Sequence, residues 1–244
     1  AHIDDAPYTY AEITDDIKTI WQKIHSDVSA ASFPTLFDSN TPRGRELDQM
    51  SIIDWLDESI PDGGASSRLG RLLDVAYNIE YGLECSEQSS LNLLYLIGYA
   101  GQGQFRAFGK SDERYHVRGG NDQITTRMAA ALSGQITIGS ELVSVKRTPG
   151  GRYELTFRQG SKSVPVIADK VVLALPFSIL RHSVDLSKAG FSARKRQAIE
   201  EQGMGTNSKL QLQFTRRHWY DLGGNGDTFA DTGYQASWEV SRAQ

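Results

Sequence analysis

The spacing of apolar residues changes once along this chain, and that change limits its fold more than any other feature. Through the first hundred residues apolar side chains return every three or four positions, as in Ile13, Ile17, Ile20, Trp21, Ile24 and Val28. That period is the stripe of a helix laid against a core. A second helix starts at Ser51, with Asp54 three residues on as an acidic capping partner and Ile52, Ile53, Trp55 and Leu56 as its apolar side. Leu69, Leu72, Leu73, Ala76 and Ile79 make a third stripe that stops at Gly82, and Leu91, Leu94, Tyr95 and Ile97 make a fourth. After Gly98 the texture turns to a loop punctuated by Gly101, Gly103, Gly109, Ser111 and Asp112. Beyond it the period is two, with strands expected over 135–138, 141–147, 152–157, 162–167 and 170–174 and a hairpin turn at Pro149, Gly150 and Gly151. A short helix over 122–132, capped by Asn121 or Asp122, lies among them. Helix returns over 192–202, then strand over 209–214 and again over 228–240, with a bend at Gly233. The pattern predicts an α+β (mixed α/β) fold, a helical part joined to a mostly antiparallel sheet.

Charge and cysteine content remove several classes of function. A net charge of −4 gives no broad positive field for nucleic acid, and the short basic run Arg194, Lys195, Arg196 has the period of a solvated helix face. The single cysteine, Cys85, forms no internal disulfide and belongs to no thiolate cluster. His2, His25, His116, His182 and His218 lack metal-ligand spacing, so no metal site is expected. The longest apolar run, 91–100, is about half of the roughly 20 residues a membrane span requires. It reads as a core helix. Residues 1–10 show no basic start followed by an apolar run, so no targeting peptide is visible; the compartment stays open, with a soluble protein, cytoplasmic or secreted, expected.

Three segments carry chemistry: Arg114-Tyr115-His116-Val117-Arg118-Gly119-Gly120-Asn121-Asp122-Gln123, then Val171-Val172-Leu173-Ala174-Leu175-Pro176, then Gly205-Thr206-Asn207-Ser208-Lys209-Leu210-Gln211-Leu212. In that order and at those separations they resemble the flavin-containing amine oxidases, the group of the monoamine, L-amino-acid and polyamine oxidases. The resemblance is close over 115–219 and looser over the helical region before it. It implies FAD as cofactor and a small-molecule amine or amino acid, with O2, as reactants.

The residues themselves are compatible with those roles. Gly119 and Gly120 lack a Cβ, so backbone there can approach a ligand closely; a tight turn feeding a helix is the plain alternative. The resemblance places Gly119, Gly120 and Asn121 near the flavin. It sets Leu142 against the adenine part and Pro176 at the end of a cofactor-domain strand, where ordinary core strand is the competing reading. Lys209 opens an apolar strand, where partial enclosure would lower a lysine pKa; a lysine snorkelling from a sheet edge is the alternative. By resemblance a lysine at this place holds a water against the flavin and assists reaction with dioxygen. Trp219 and Trp238 are candidate cavity-lining aromatics, with packing on a core or sheet face as the other role.

The strand, G-x-G-x-x-G turn and helix that begin such an oxidase do not occur here. Gly101-Gln102-Gly103-Gln104-Phe105-Arg106 lacks the third glycine and follows a helix, so it is rejected as a nucleotide site. The chain therefore reads as a central fragment, inactive by itself, with a processed chain that stays associated as the alternative; in either case its partners are the remaining segments of the same enzyme. Exposed sheet edges also predict self-association into a homo-oligomer. The expected organisation is 1–113 substrate side, 114–181 cofactor side and 182–244 substrate side. Two alternatives remain: a related flavoprotein desaturase or porphyrinogen oxidase, and a binding module that kept the scaffold without the chemistry.

Overall fold

A computed structural model describes residues 1–101, 104–111 and 115–241. Gly103 and Asp112 of the expected loop, Gln102 of the rejected glycine turn, the Glu113/Arg114 boundary and Arg114 of the first motif lie outside the described residues. In chain order the elements are β1 (His2–Ile3), β2 (Ala6–Pro7), α1 (Tyr10–Ala31), α2 (Pro42–Gln49), α3 (Ile52–Ser59), α4 (Arg68–Tyr81) and α5 (Ser90–Ile97). Then come α6 (Asp122–Ala131), β3 (Glu141–Arg147), β4 (Tyr153–Gln159), β5 (Lys162–Ala168), α7 (Phe177–Ser183), α8 (Ala193–Glu201), α9 (His218–Asp221), β6 (Thr228–Phe229) and β7 (Ala236–Ser237). The fold is α+β, and each pair of these strands is antiparallel. Two compact units form, one from 1–114 with 205–244 and one from 115–204.

The first unit is built on the four helical stripes and on α2, a helix that the apolar spacing did not announce and that supplies Leu47 to the core. α1 is opened by a reciprocal box in which Thr9 and Glu12 satisfy each other's backbone N–H. Ser51 caps α3 by accepting from the Asp54 N–H at 3.0 Å. α4 stops where Gly82 turns left-handed, at φ 68°. Their apolar faces meet in one core holding Ile17, Ile20, Ile24, Leu47, Leu72 and Leu94, each fully buried or nearly so. Within that core lies one carboxylate, Asp27. It accepts from Trp55 Nε1 at 2.9 Å and Arg43 Nε at 2.9 Å, with Lys23 Nζ 3.2 Å away, which ties α1, α2 and α3 together. Among the described residues no helix is long and apolar enough to cross a membrane.

The second unit carries a meander in the order β3-β4-β5. Val145 and Leu155 face each other across the β3–β4 pair, and both are buried with Leu180, Val184 and Ile199 of the α7–α8 region. The outer side of β3 is also occupied, because Val145 N–H donates to Asp185 C=O and Asp185 N–H to Val143 C=O, at 3.0 and 2.8 Å. α6 stands apart in character: none of its residues is buried, and Ile124 and Met128 are exposed.

Five local expectations are corrected. Residues 135–138, 170–174 and 209–214 are not strands, and of 228–240 only 228–229 and 236–237 are. A strand exists only through a ladder with a neighbour, and among the described residues none of the three segments makes one. Val172 is 91% exposed, so the run 171–175 is not a core strand either. Asn121 occupies the cap position of α6 without a capping hydrogen bond. Its side chain instead accepts from the Val117 N–H at 3.2 Å, closing the preceding turn.

Candidate functional site

The segment that delivers Lys209 is fastened to the end of α4. Thr206 donates to the Gly82 carbonyl from both its backbone N–H, at 2.8 Å, and its hydroxyl, at 3.0 Å. Asn207 Nδ2 donates to the Ile79 carbonyl at 2.5 Å. These are carbonyls that a helix C-terminus leaves without partners of its own. The docking needs glycine at 82, since a Cβ there would stand 2.8 Å from Asn207 Oδ1 and 3.0 Å from the Gly205 Cα.

Two residues on, the Lys209 ammonium lies over the Trp238 indole, 5.1 Å from the ring centroid. Lys209 is exposed. The enclosure expected of a strand-entry lysine is therefore not supplied here; the indole covers one side of the amine. In the sequence Thr206 and Asn207 stand only as part of a motif and Gly82 only as a helix stop. That the three act together as the anchor is not legible there, although a glycine closing a helical stripe and an asparagine in a loop are the residue types such a junction uses.

Trp219 is half-buried in an aromatic group, edge-on to Phe214 at 5.8 Å and to Tyr220 at 6.3 Å. Its indole N–H is buried without an acceptor among the described residues. Nearby, Arg217 Nε donates to Glu239 at 2.8 Å. The Ser241 backbone N–H, followed by Arg217, holds the Glu239 carboxyl below the ordinary carboxylate range.

In the second unit, Gly119 and Gly120 adopt φ of 85° and 109°, and the Gly120 N–H closes a turn onto the Val117 carbonyl at 2.9 Å. Both glycines are exposed, so the turn presents bare backbone at its surface. An open groove lined by Val117, Arg118, Gln123, Ile124 and Arg127 adjoins it. Leu142 is half-buried against the core of this unit, at a register shift in the β3–β4 ladder. Pro176 is exposed and stands at the cap position before α7, its carbonyl accepting from Leu180 at 3.1 Å. Of the residues singled out from sequence, the structure brings Lys209 and Trp238 into contact. Among the described residues no group of three or more His, Cys, Asp or Glu is placed to hold a metal ion.

The chain is 22% identical over 231 residues to an L-amino acid dehydrogenase of Synechocystis sp. (strain ATCC 27184 / PCC 6803 / Kazusa), covering 90% of this chain and 43% of that protein. Its fold is similar to that of wild-type putrescine oxidase bound to putrescine, with a TM-score of 0.70 and 18% identity over 98% of this chain and 51% of the enzyme. A double mutant of putrescine oxidase gives the same values. The chain thus spans about half the length of the relatives it matches. The family described as flavin containing amine oxidoreductase matches residues 7–243. With a match over nearly its whole length, this chain belongs to the flavin containing amine oxidoreductase family.

Proposed function

We propose that the chain is the central part of an FAD-dependent oxidase that converts a primary amine or an L-amino acid to the imine while O2 is reduced to hydrogen peroxide. The substrate loses two electrons and two protons, one from the carbon bearing the nitrogen and one from the nitrogen; dioxygen gains both pairs, and water hydrolyses the imine. FAD, when bound, supplies the two-electron transfer that links these halves. The residues fit such a group. The turn at Gly119 and Gly120 offers exposed backbone with no Cβ on its surface, and Asn121 rigidifies it by bonding back to Val117. On this reading Gly119, Gly120 and Asn121 hold the cofactor together with Leu142 and Pro176, and Trp219 and Trp238 line the substrate cavity.

The observation that carries the oxidase reading is Lys209, an ammonium on a clamped segment that no carboxylate among the described residues neutralises. Its role is to hold a water and a proton for the reaction with dioxygen. Residues 1–113 and 182–244 then serve the substrate side and 114–181 the cofactor side, although 182–204 pack in one unit with 115–181. The test is Lys209→Met in the whole protein. It should slow reoxidation of the reduced flavin by O2 far more than it weakens substrate binding, and equal reoxidation rates would refute the role.

A dehydrogenase is the second reading, favoured by the name of the Synechocystis relative. A peroxide-coupled screen against amines, polyamines and L-amino acids, run beside an artificial electron acceptor, separates the two. Peroxide supports the oxidase, and turnover only with the acceptor supports the dehydrogenase.

A further inference from the structure

We infer that Trp238 is a positioning residue for Lys209, holding its ammonium over one indole face so that the N–H donors stay free to bind water. The inference rests on the role proposed above for Lys209. A lysine amine sits at the end of four rotatable bonds, so a fixed backbone alone does not place it. Here the backbone is fixed by Thr206 and Asn207 on the end of α4, and the ammonium is met at 5.1 Å by the indole, within the range of a cation–π contact.

The indole is itself held from both sides in sequence. Immediately before it, Ala236 and Ser237 pair with Phe229 and Thr228. Immediately after it, Glu239 accepts from Arg217 at 2.8 Å and from the Ser241 N–H at 2.7 Å. A carboxylate partner would occupy the amine's hydrogens. A ring face attracts the same charge through its quadrupole and leaves those hydrogens available. For an exposed pair the bias toward the held rotamer is about two- to fivefold.

The experiment uses the whole protein labelled with 13C-lysine, with the Lys209 ε-methylene signal assigned by its disappearance in Lys209→Met. The ring current of Trp238 should displace that signal upfield in the wild type. Trp238→Leu should abolish the displacement, and Trp238→Phe should retain part of it. Reoxidation by O2 after chemical reduction should slow about two- to fivefold in Trp238→Leu and recover in Trp238→Phe, and Trp238→Leu should add no slowing in the Lys209→Met background. An undisplaced wild-type signal overturns the contact. A displacement lost without slower reoxidation, or equal slowing in both backgrounds, overturns the positioning role. If Lys209→Met reoxidises like wild type, the role of Lys209 fails and the positioning role with it, while the ε-methylene signal still reports whether the contact exists.

Discussion

Replacing Gly82 by alanine tests the junction that carries Lys209. Gly82 holds a left-handed conformation, φ 68° and ψ 33°, which costs a residue with a Cβ about 1–2 kcal/mol. The added methyl would also stand 2.8 Å from Asn207 Oδ1, so the amide must swing away and give up its bond to the Ile79 carbonyl, worth about 0.5–1.5 kcal/mol. The Gly205 Cα, 3.0 Å from the new methyl, is backbone and yields only by moving the whole segment. The sum is about 1.5–3.5 kcal/mol, and the part belonging to the docked segment opens it locally. Hydrogen exchange at the Thr206 amide, which donates to Gly82, reads that opening, and urea unfolding reads the total. Asn207→Ala should cost about 1 kcal/mol alone, and the double variant should cost less than the two singles together, because the methyl no longer meets the amide. Thr206 protection unchanged in Gly82→Ala, or single-variant costs that add to within about 0.5 kcal/mol, would refute the reasoning.

Two further perturbations follow from the buried groups of the first unit. Asp27→Ala leaves Arg43 and the Trp55 N–H without their carboxylate; it should cost about 3 kcal/mol, the low end for breaking a buried pair because Arg43 and Lys23 keep a path to solvent, read as a lowered urea midpoint. Burial, and then Asp74, raises the Cys85 thiol above its ordinary 9.0, and burial raises the Tyr77 phenol above 10.0. The folded state therefore keeps protons that the unfolded state releases. Stability should be full below pH 9 and fall as pH rises past it, by up to about 1.4 kcal/mol per pH unit for each group. Unfolding titrations should show Cys85→Ala delaying the onset to about pH 10; an onset unmoved by that change would exclude the thiol as its source.

The helical half was legible because its signals are local. Ser51, and the stripe from Leu69 that ends at Gly82, each contain the cap or stop and the face that decide a helix, and the structure uses both, although Asp54 accepts from the Ser51 hydroxyl and not from its backbone N–H. The hairpins were legible for a similar reason: Pro149-Gly150-Gly151 joins β3 to β4, and the strands on either side pair with each other. Segments 170–174 and 209–214 carry an equally good apolar pattern and form no strand. A β pattern fixes only which face each side chain takes, whereas the ladder must come from another stretch of chain.

The candidate site divides along the same line. Gly119 and Gly120 announce their backbone freedom by residue type, and both take positive φ. Lys209 announces nothing of its partner, since the partner is an indole 29 positions later. That ring reaches the amine only because β6 and β7 fold back as a hairpin and Arg217 takes hold of Glu239. Periodicity carries no record of such a contact, as it depends on two loops being fixed independently and then meeting. A lysine placed this way depends on its hairpin as much as on its motif: displacing the β6–β7 turn should disturb the amine even with every residue from 205 to 212 intact.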